Sequence, residues 1–223
     1  MSLLQIAITS LPKLLNGLIV TLYMTAIAST VGLLLGIILC LGRVYANKFL
    51  SILSTGFIEL IRGTPMLVQL FILYYGLPAY GVRLTPLAAA LIGFCINSGA
   101  YQAEYIRGAI QSIGIGQYKA ALSIGMTKWQ AVRLIILPQA LRRVIPSWTN
   151  EFIYLLKYTS MAYIIGAPEM MAQAKFIASR NFQFFEVYLV TALIYLSIVW
   201  LATALLSALE KKLRIPGTVV YER

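Results

Sequence analysis

Two side-chain types are missing from these 223 residues: there is no His and no Asp. Without His the chain has no His-based metal site and no Ser-His nucleophile. Charge of any kind is scarce, at 11% against the roughly one quarter usual in a soluble domain, while 60% of the residues are hydrophobic. Lipid is the better solvent for such a chain. Cysteine is almost absent too, and Cys40 and Cys95 both sit in apolar runs, which argues against a disulfide framework. Acidic residues are few, and 18 Lys and Arg leave a net charge of +11. Those cations flank apolar stretches, so they read as juxtamembrane anchors and not as a nucleic-acid surface. The pattern G-x-x-x-x-G-K-[ST] is absent, so ATP has no phosphate loop here. No internal repeat and no low-complexity tract occurs.

What is present is a series of long apolar runs. A bilayer core needs about 20 mostly apolar residues per helix. Five stretches qualify: about 14–41, 52–75, 84–110, 140–165 and 184–209, of which the fourth is the most polar. The expected fold class is therefore an all-α membrane protein forming one domain over 1–223. Residues 1–13 would be an interfacial helix ending near Pro12, 14–210 a five-helix core, and 211–223 a basic tail. The only early cation is Lys13 and no cleavage-site pattern follows, so the first run reads as a permanent span. One set of connections holds Arg43, Lys48, Arg107, Lys119, Lys128, Arg133, Arg142, Arg143, Lys211, Lys212, Arg214 and Arg223, the other only Lys13, Arg83, Lys157, Lys175 and Arg180. The richer set should face the cytoplasm, with the N-terminus outside.

The longest cytoplasmic connection, "QYKAALSIGMTKWQAVRLIILPQALRR", begins with good helix formers at Gln117–Ile124 and continues to Gly125, placed for a left-handed cap. Ala120 and Ala121 leave room for a partner surface to approach the backbone. Pro138 then ends or bends the second basic segment into the fourth span. Two readings fit: a knob for a cytoplasmic socket, or an amphipathic helix lying on anionic lipid.

Within this stretch "AALSIGMTKWQAVRLIILP" resembles the EAA signature of binding-protein-dependent ABC importer permeases. The ordered segments "FIELIRGTPMLVQLFILYYGLP", "AYQAEYIRGAI", "NEFIYLLKYTS" and "EKKLRIPG" are similar to the polar amino acid branch of that family. The resemblance spans about Leu14 to Gly217. Lys119 departs from it by standing where the signature usually has Glu, and Tyr158 and Met161 depart from the usual wording "KDTSL". The resemblance implies the type I ABC importer permease architecture, with a coupling helix at 117–125 in which Lys119, Ala120, Ala121 and Gly125 meet an ATPase. It also implies two ATP-binding subunits that bind the ATP, a second permease copy (identical or paralogous), an extracytoplasmic amino-acid-binding protein and a prokaryotic inner-membrane location. The chain itself would carry no cofactor and do no chemistry. An ion-coupled secondary transporter and a non-transporting membrane anchor are the alternatives. The first usually shows internal repeats, and the second leaves the intramembrane polar residues without a use.

Polar groups inside spans are costly and mark candidate sites. Glu59 and Arg62 are three apart on one helix face, followed by the Gly63-Thr64-Pro65 bend, so they form either a structural pair beside a kink or, by analogy with the family, a gate that includes Pro65. Asn97, Tyr101, Glu104 and Tyr105 make one polar stripe at helical spacing. Asn97 and Tyr101 are ligand candidates or interhelix packing, whereas Glu104–Arg107 reads as a structural pair. In the fourth span Ser147, Asn150, Glu151, Tyr154 and Tyr158 can share one side. Glu151 meets either a positive group of a ligand, or Lys157, or a neighbouring hydroxyl. The Thr64 break supplies further polar contacts for an amino acid, and Glu151 leans the expected substrate toward cationic ones.

Overall fold

The computed structural model describes residues 3–213, which form helices joined by short turns with no strand among them. The first helix, α1, runs without interruption from Leu3 to Tyr45. The break expected near Pro12 does not occur. Proline removes one hydrogen bond and disfavours the helix interior by about 3 kcal/mol. Here packing on both sides overrides that preference: Ile6 before it and Leu14 after it are fully buried, in a cluster with Met170, Ala174 and Val187. At about 1.5 Å per residue the 43 residues of α1 extend well beyond a bilayer core of about 30 Å.

Asn47 caps α2 (Lys48–Gly63), its side chain accepting from Leu50 N at 3.0 Å. Thr64 and Pro65 are both extended, and α3 (Met66–Phe71) starts immediately after them. The chain turns through 103° at this point, more sharply than the bend the sequence suggests. A π-helical turn (Ile72–Gly76) and a 3-10 turn (Leu77–Tyr80) carry α3 to Gly81, whose φ of 83° stops it. Helix α4 (Pro86–Gln111) is capped by Thr85 and matches the expected third span.

After α4 come the short α5 (Ile115–Ser123) and α6 (Lys128–Gln130). Next, a π-helical turn over Ala131–Ile136 feeds α7 (Leu137–Tyr158). The wider turn gives the ring of Pro138 the room that a regular α-turn denies it. A 3-10 turn, Thr159–Ile165, follows α7. Helix α8 (Met170–Asn181) was not expected; its sequence reads as an outer loop. The signal is present but quiet: Met170, Ala174 and Ala178 recur every four residues and are all buried. The last helix, α9, spans Phe184–Leu213, and the tail from residue 214 onward lies outside the described residues.

Length and apolarity by themselves identify two crossing helices, α1 and α9, or three if α2 and Met66–Tyr80 form one broken span. Helices α4 and α7, expected as the third and fourth spans, are too polar to be identified that way: α4 carries Asn97, Gln102 and Glu104, and α7 carries Arg142, Arg143, Asn150, Glu151 and Lys157, of which Arg142 and Asn150 are exposed. The central pairing is α1 against α4, with α2 and α7 beside them and α8 and α9 along α1. Gly32 and Gly36, four apart on α1, make this closeness possible. A Cβ at Gly36 would lie 3.0 Å from the Ala103 backbone nitrogen and 2.9 Å from Gln102 Cβ. Gln102 fastens the same crossing, its Nε2 donating to Ser29 O at 3.2 Å and Ser98 Oγ at 2.8 Å. Gly36→Val is therefore expected to cost about 1–3 kcal/mol through overpacking against backbone. The check is the thermal aggregation midpoint of the detergent-solubilised protein, which should fall by several degrees; an unchanged midpoint would mean the helices separate freely.

Candidate functional site

Two adjoining cavities lie among α2, α3, α4 and α7. One, of about 310 Å³, is lined by Asn97, Tyr101, Tyr105, Glu151, Tyr154 and Tyr158. The other, of about 360 Å³, shares Asn97, Tyr101 and Tyr158 and adds Arg62, the Gly63–Leu67 break and Met161. The structure thus brings together all four proposed ligand residues: Asn97, Tyr101, Thr64 and Glu151. Of the α7 cluster expected from sequence, Glu151, Tyr154 and Tyr158 reach the cavity, and Ser147 and Asn150 are not in its wall.

The break in the second span is held open by its own side chains. Thr64 Oγ1 donates to Leu60 O at 2.9 Å, covering a carbonyl that the ended helix leaves free. Gln69 Nε2, one turn on, donates to Ile61 O at 2.7 Å, Thr64 O at 3.1 Å and Thr64 Oγ1 at 2.9 Å. Its Oε1 accepts from Asn97 Nδ2 at 3.1 Å. Gln69 thereby ties the break to α4 and fixes the way Asn97 faces. Sequence reasoning missed Gln69, although a lone amide in the apolar run Met66–Tyr75 is the kind of residue that marks a site.

Glu151 is 6% exposed. The Tyr105 hydroxyl donates to its Oε2 at 3.4 Å, and the Ser98 hydroxyl is also within hydrogen-bonding reach. Lys157, one of the alternatives from sequence, is engaged elsewhere, its Nζ lying 4.7 Å from the Tyr154 ring centre. No Lys or Arg pairs with Glu151 among the described residues. Of the partners the sequence offered, the neighbouring hydroxyl is the one present, and the buried carboxyl group faces a polar cavity with no cation of the chain beside it.

The expected Glu59–Arg62 pair does not form. Glu59 pairs with Arg43 of α1 at 3.4 Å instead, and Glu104 is the centre of the ion cluster. Glu104 accepts from Arg43, from Arg107 at 2.8 Å, and stands 3.8 Å from Arg62. The reason is reach: Arg43 comes from a different helix, and helix spacing alone gave no sign of it. The Glu104–Arg107 pair expected from sequence is present.

On the far side of the ion cluster, α5 replaces the expected 117–125 helix with a start two residues earlier. Gly125 has φ 87°, and the end has the Schellman pattern, with Gly125 N donating to Leu122 O and Met126 N to Ala121 O. Thr127 and Gln130 then cap each other reciprocally. One side-chain bond ties α5 to α7, Gln139 Nε2 donating to Gln117 Oε1 at 3.3 Å, while Arg143 of α7 fastens the end of α4, its Nη1 donating to Ser112 Oγ at 2.8 Å. Lys119, Ala120 and Gly125 are exposed, whereas Ala121 is buried inside the chain. Only the first three are available to a partner.

Comparison with known proteins matches this architecture. The family described as "Binding-protein-dependent transport system inner membrane component" matches residues 28–215. The chain is 44% identical over 209 residues to the probable amino-acid permease protein YxeN of Bacillus subtilis, covering 92% of each chain. It is 36% identical to the glutamine transport system permease protein GlnP of Escherichia coli, covering 92% of this chain and 95% of that one. A crystal structure of an amino acid ABC transporter with histidines superposes with a TM-score of 0.88 at 37% identity, over 95% of this chain and 99% of that one. The methionine transporter MetNI in an inward-facing conformation, 22% identical with a TM-score of 0.75 over 91% of this chain and 97% of that one, shares the fold. With the sharp break between α2 and α3, the capped helix between α4 and α7 and these likenesses along nearly its whole length, the chain belongs to the inner-membrane permease family of binding-protein-dependent ABC transport systems.

Proposed function

We propose that the chain is the membrane-spanning subunit of an ATP-driven importer of a polar amino acid, with a lean toward cationic ones. The observation that carries this reading is the pair of joined cavities in which Asn97, Tyr101, Glu151 and the Thr64 break converge. Similar permeases whose names specify amino acids or glutamine support the substrate class. The chain supplies a path and alternating access, and the chemistry of ATP hydrolysis belongs to a partner. In this reading five spans cross the bilayer, with α2 and α3 counted as one and α4 and α7 stabilised at depth by their neighbours. Two such chains, identical or paralogous, form the pore, and an extracytoplasmic binding protein delivers the amino acid. The extended break at Thr64 and Pro65, flanked by Arg62 and Glu59, acts as the gate. The α5 knob, with Lys119, Ala120 and Gly125, docks on one of two cytoplasmic ATP-binding subunits.

Uptake of a panel of labelled L-amino acids by vesicles holding the permease, its ATPase and its binding protein tests the reading. ATP-dependent accumulation of one polar amino acid is expected. Accumulation driven by an ion gradient without ATP would replace the reading with a secondary transporter.

The orientation rests on the asymmetry in Lys and Arg. Single cysteines introduced beside Arg83 and Arg180 are expected to react with an impermeant maleimide on intact cells, and one beside Lys128 only after the membrane is opened. The native thiols are free, with Cys40 buried and Cys95 half-buried, so a variant lacking both is the background. The reverse labelling pattern would place α5 and the ATPase on the opposite side.

A further inference from the structure

Charge accounting at the cytoplasmic side of the cavity leaves one guanidinium without a partner of its own. Arg43, Arg62 and Arg107 surround two carboxylates, Glu59 and Glu104. Arg107 donates to both oxygens of Glu104, Nε to Oε1 and Oε2 at 3.1 Å and Nη2 to Oε2 at 2.8 Å, and Arg43 adds a further bond to Oε1. Arg62 reaches Glu104 only at 3.8 Å, beyond hydrogen-bond distance. Its Nε is buried and has no hydrogen-bond partner among the described residues. The guanidinium lies 5.3 Å from the centre of the Tyr101 ring, a contact that fixes its plane, and Arg62 forms part of the cavity wall beside Thr64 and Asn97.

A buried donor left unpaired is costly, more so when it is charged. Arg62 is thus the positive counterpart of Glu151: one surplus cation and one surplus anion face two cavities that share Asn97, Tyr101 and Tyr158. We infer that Arg62 receives the α-carboxylate of the transported amino acid, binding it through the fork of Nε and Nη while Glu151 meets a positive group of the same molecule. The inference rests on the importer reading and deepens it, because it states which end of the substrate points toward the Glu104 cluster. Arginine suits this position. Its planar fork matches a carboxylate, whereas a lysine ammonium would be a point charge. Pulling Arg62 toward a substrate leaves Glu104 fully bonded by Arg43 and Arg107, so occupation of the site disturbs no other pair.

The test uses the solubilised permease–ATPase complex without binding protein, so that only the membrane cavity selects. The probe is the labelled L-amino acid that the wild-type complex takes up best in vesicles with its binding protein, and the competitor is the amine made by removing its carboxylate. In wild type the amine should bind roughly 10- to 150-fold more weakly, the range for one charge-assisted hydrogen bond. In Arg62→Gln the amino acid should weaken to the level of the amine while the amine's own affinity stays put. A purely structural Arg62 would weaken both alike and keep their ratio, which overturns the assignment. If Arg62→Gln does not assemble with the ATPase, Arg62→Lys is compared in the same way. Loss of the fork should shrink the ratio at least threefold, and an undiminished ratio again overturns the assignment. A wild-type complex that takes up none of the twenty amino acids sinks the importer reading and this inference together. Uptake with an unaltered ratio in the variants sinks the inference alone.

Discussion

Ala120→Trp is expected to abolish ATP-driven uptake while the protein still reaches the membrane. Ala120 lies on the exposed face of α5 beside Lys119 and the Schellman end, so the indole projects away from the chain and disturbs none of its own packing. On the docking reading it would instead stand between α5 and the ATPase, at a contact that the small Ala120 side chain keeps close. Blocking a central contact of that kind costs at least about 2 kcal/mol, or roughly 30-fold in capture of the partner. Gly125→Trp should act in the same direction for an added reason. At φ 87° a side chain strains the backbone by about 1–2 kcal/mol, although the position itself is open, with no atom within 4 Å of an added Cβ. Ala121→Trp is the contrasting variant. Ala121 is 4% exposed, so bulk there breaks the seat of α5 on the chain and lowers stability before any partner is involved. The measurements are ATPase co-purification and substrate-stimulated hydrolysis. Normal values of both in Ala120→Trp and Gly125→Trp would remove the coupling assignment and leave α5 as a helix resting on lipid headgroups.

That contrast shows what could be read from the sequence and what could not. The Gly125 stop, the break at Gly63-Thr64-Pro65 and the polar stripe of α4 depend on local backbone rules and helical spacing. They occur where local reasoning puts them. Which of two adjacent alanines faces outward depends on how α5 seats against the turn before α7, a tertiary fact. Glu59 and Arg62 share a helix face, yet Glu59 pairs with Arg43 because α1 brings a better-placed guanidinium across. Pro12 looked like a terminus because proline is judged alone, while the packing of Ile6 and Leu14 on either side is non-local. Helix α8 was hidden because its buried face, Met170, Ala174 and Ala178, is mostly alanine, which gives a weak apolar signal in a short stretch. There Gly17 of α1 touches the backbone of Met170 and Glu169. The cavity lay between these cases. Asn97, Tyr101 and Glu151 were legible as polar residues at depth, and Gln69 was not, since its role is to hold Asn97 and the break rather than to present itself.

Glu151→Gln is expected to separate cationic from neutral substrates. The substitution keeps the shape of the side chain and removes its charge. In a span, a zwitterion must have its ammonium, carboxylate and side chain satisfied by protein, because bulk water is excluded. Glu151 is buried, takes a long hydrogen bond from Tyr105 with the Ser98 hydroxyl also in reach, and has no basic partner among the described residues, so Gln leaves no cation of the chain stranded. That distinguishes it from Glu104, whose removal would strand Arg107 and leave Arg43 with Glu59 alone. A charge-assisted hydrogen bond in such a site contributes roughly 1.5–3 kcal/mol, or about 10- to 150-fold in affinity. Transport of arginine or lysine should therefore fall by that factor, and transport of glutamine by much less. The experiment is uptake of both kinds of substrate, singly and in competition, in vesicles containing ATPase and binding protein. Equal loss for both would mean that Glu151 holds the α-ammonium common to every amino acid and that selectivity between them lies elsewhere along the wall, nearest to hand in Tyr154 and Tyr158. No loss for either would reduce Glu151 to a partner of the Tyr105 hydroxyl. In both outcomes the cationic preference fails, because Glu151 is the only acidic side chain in the wall of either cavity among the described residues.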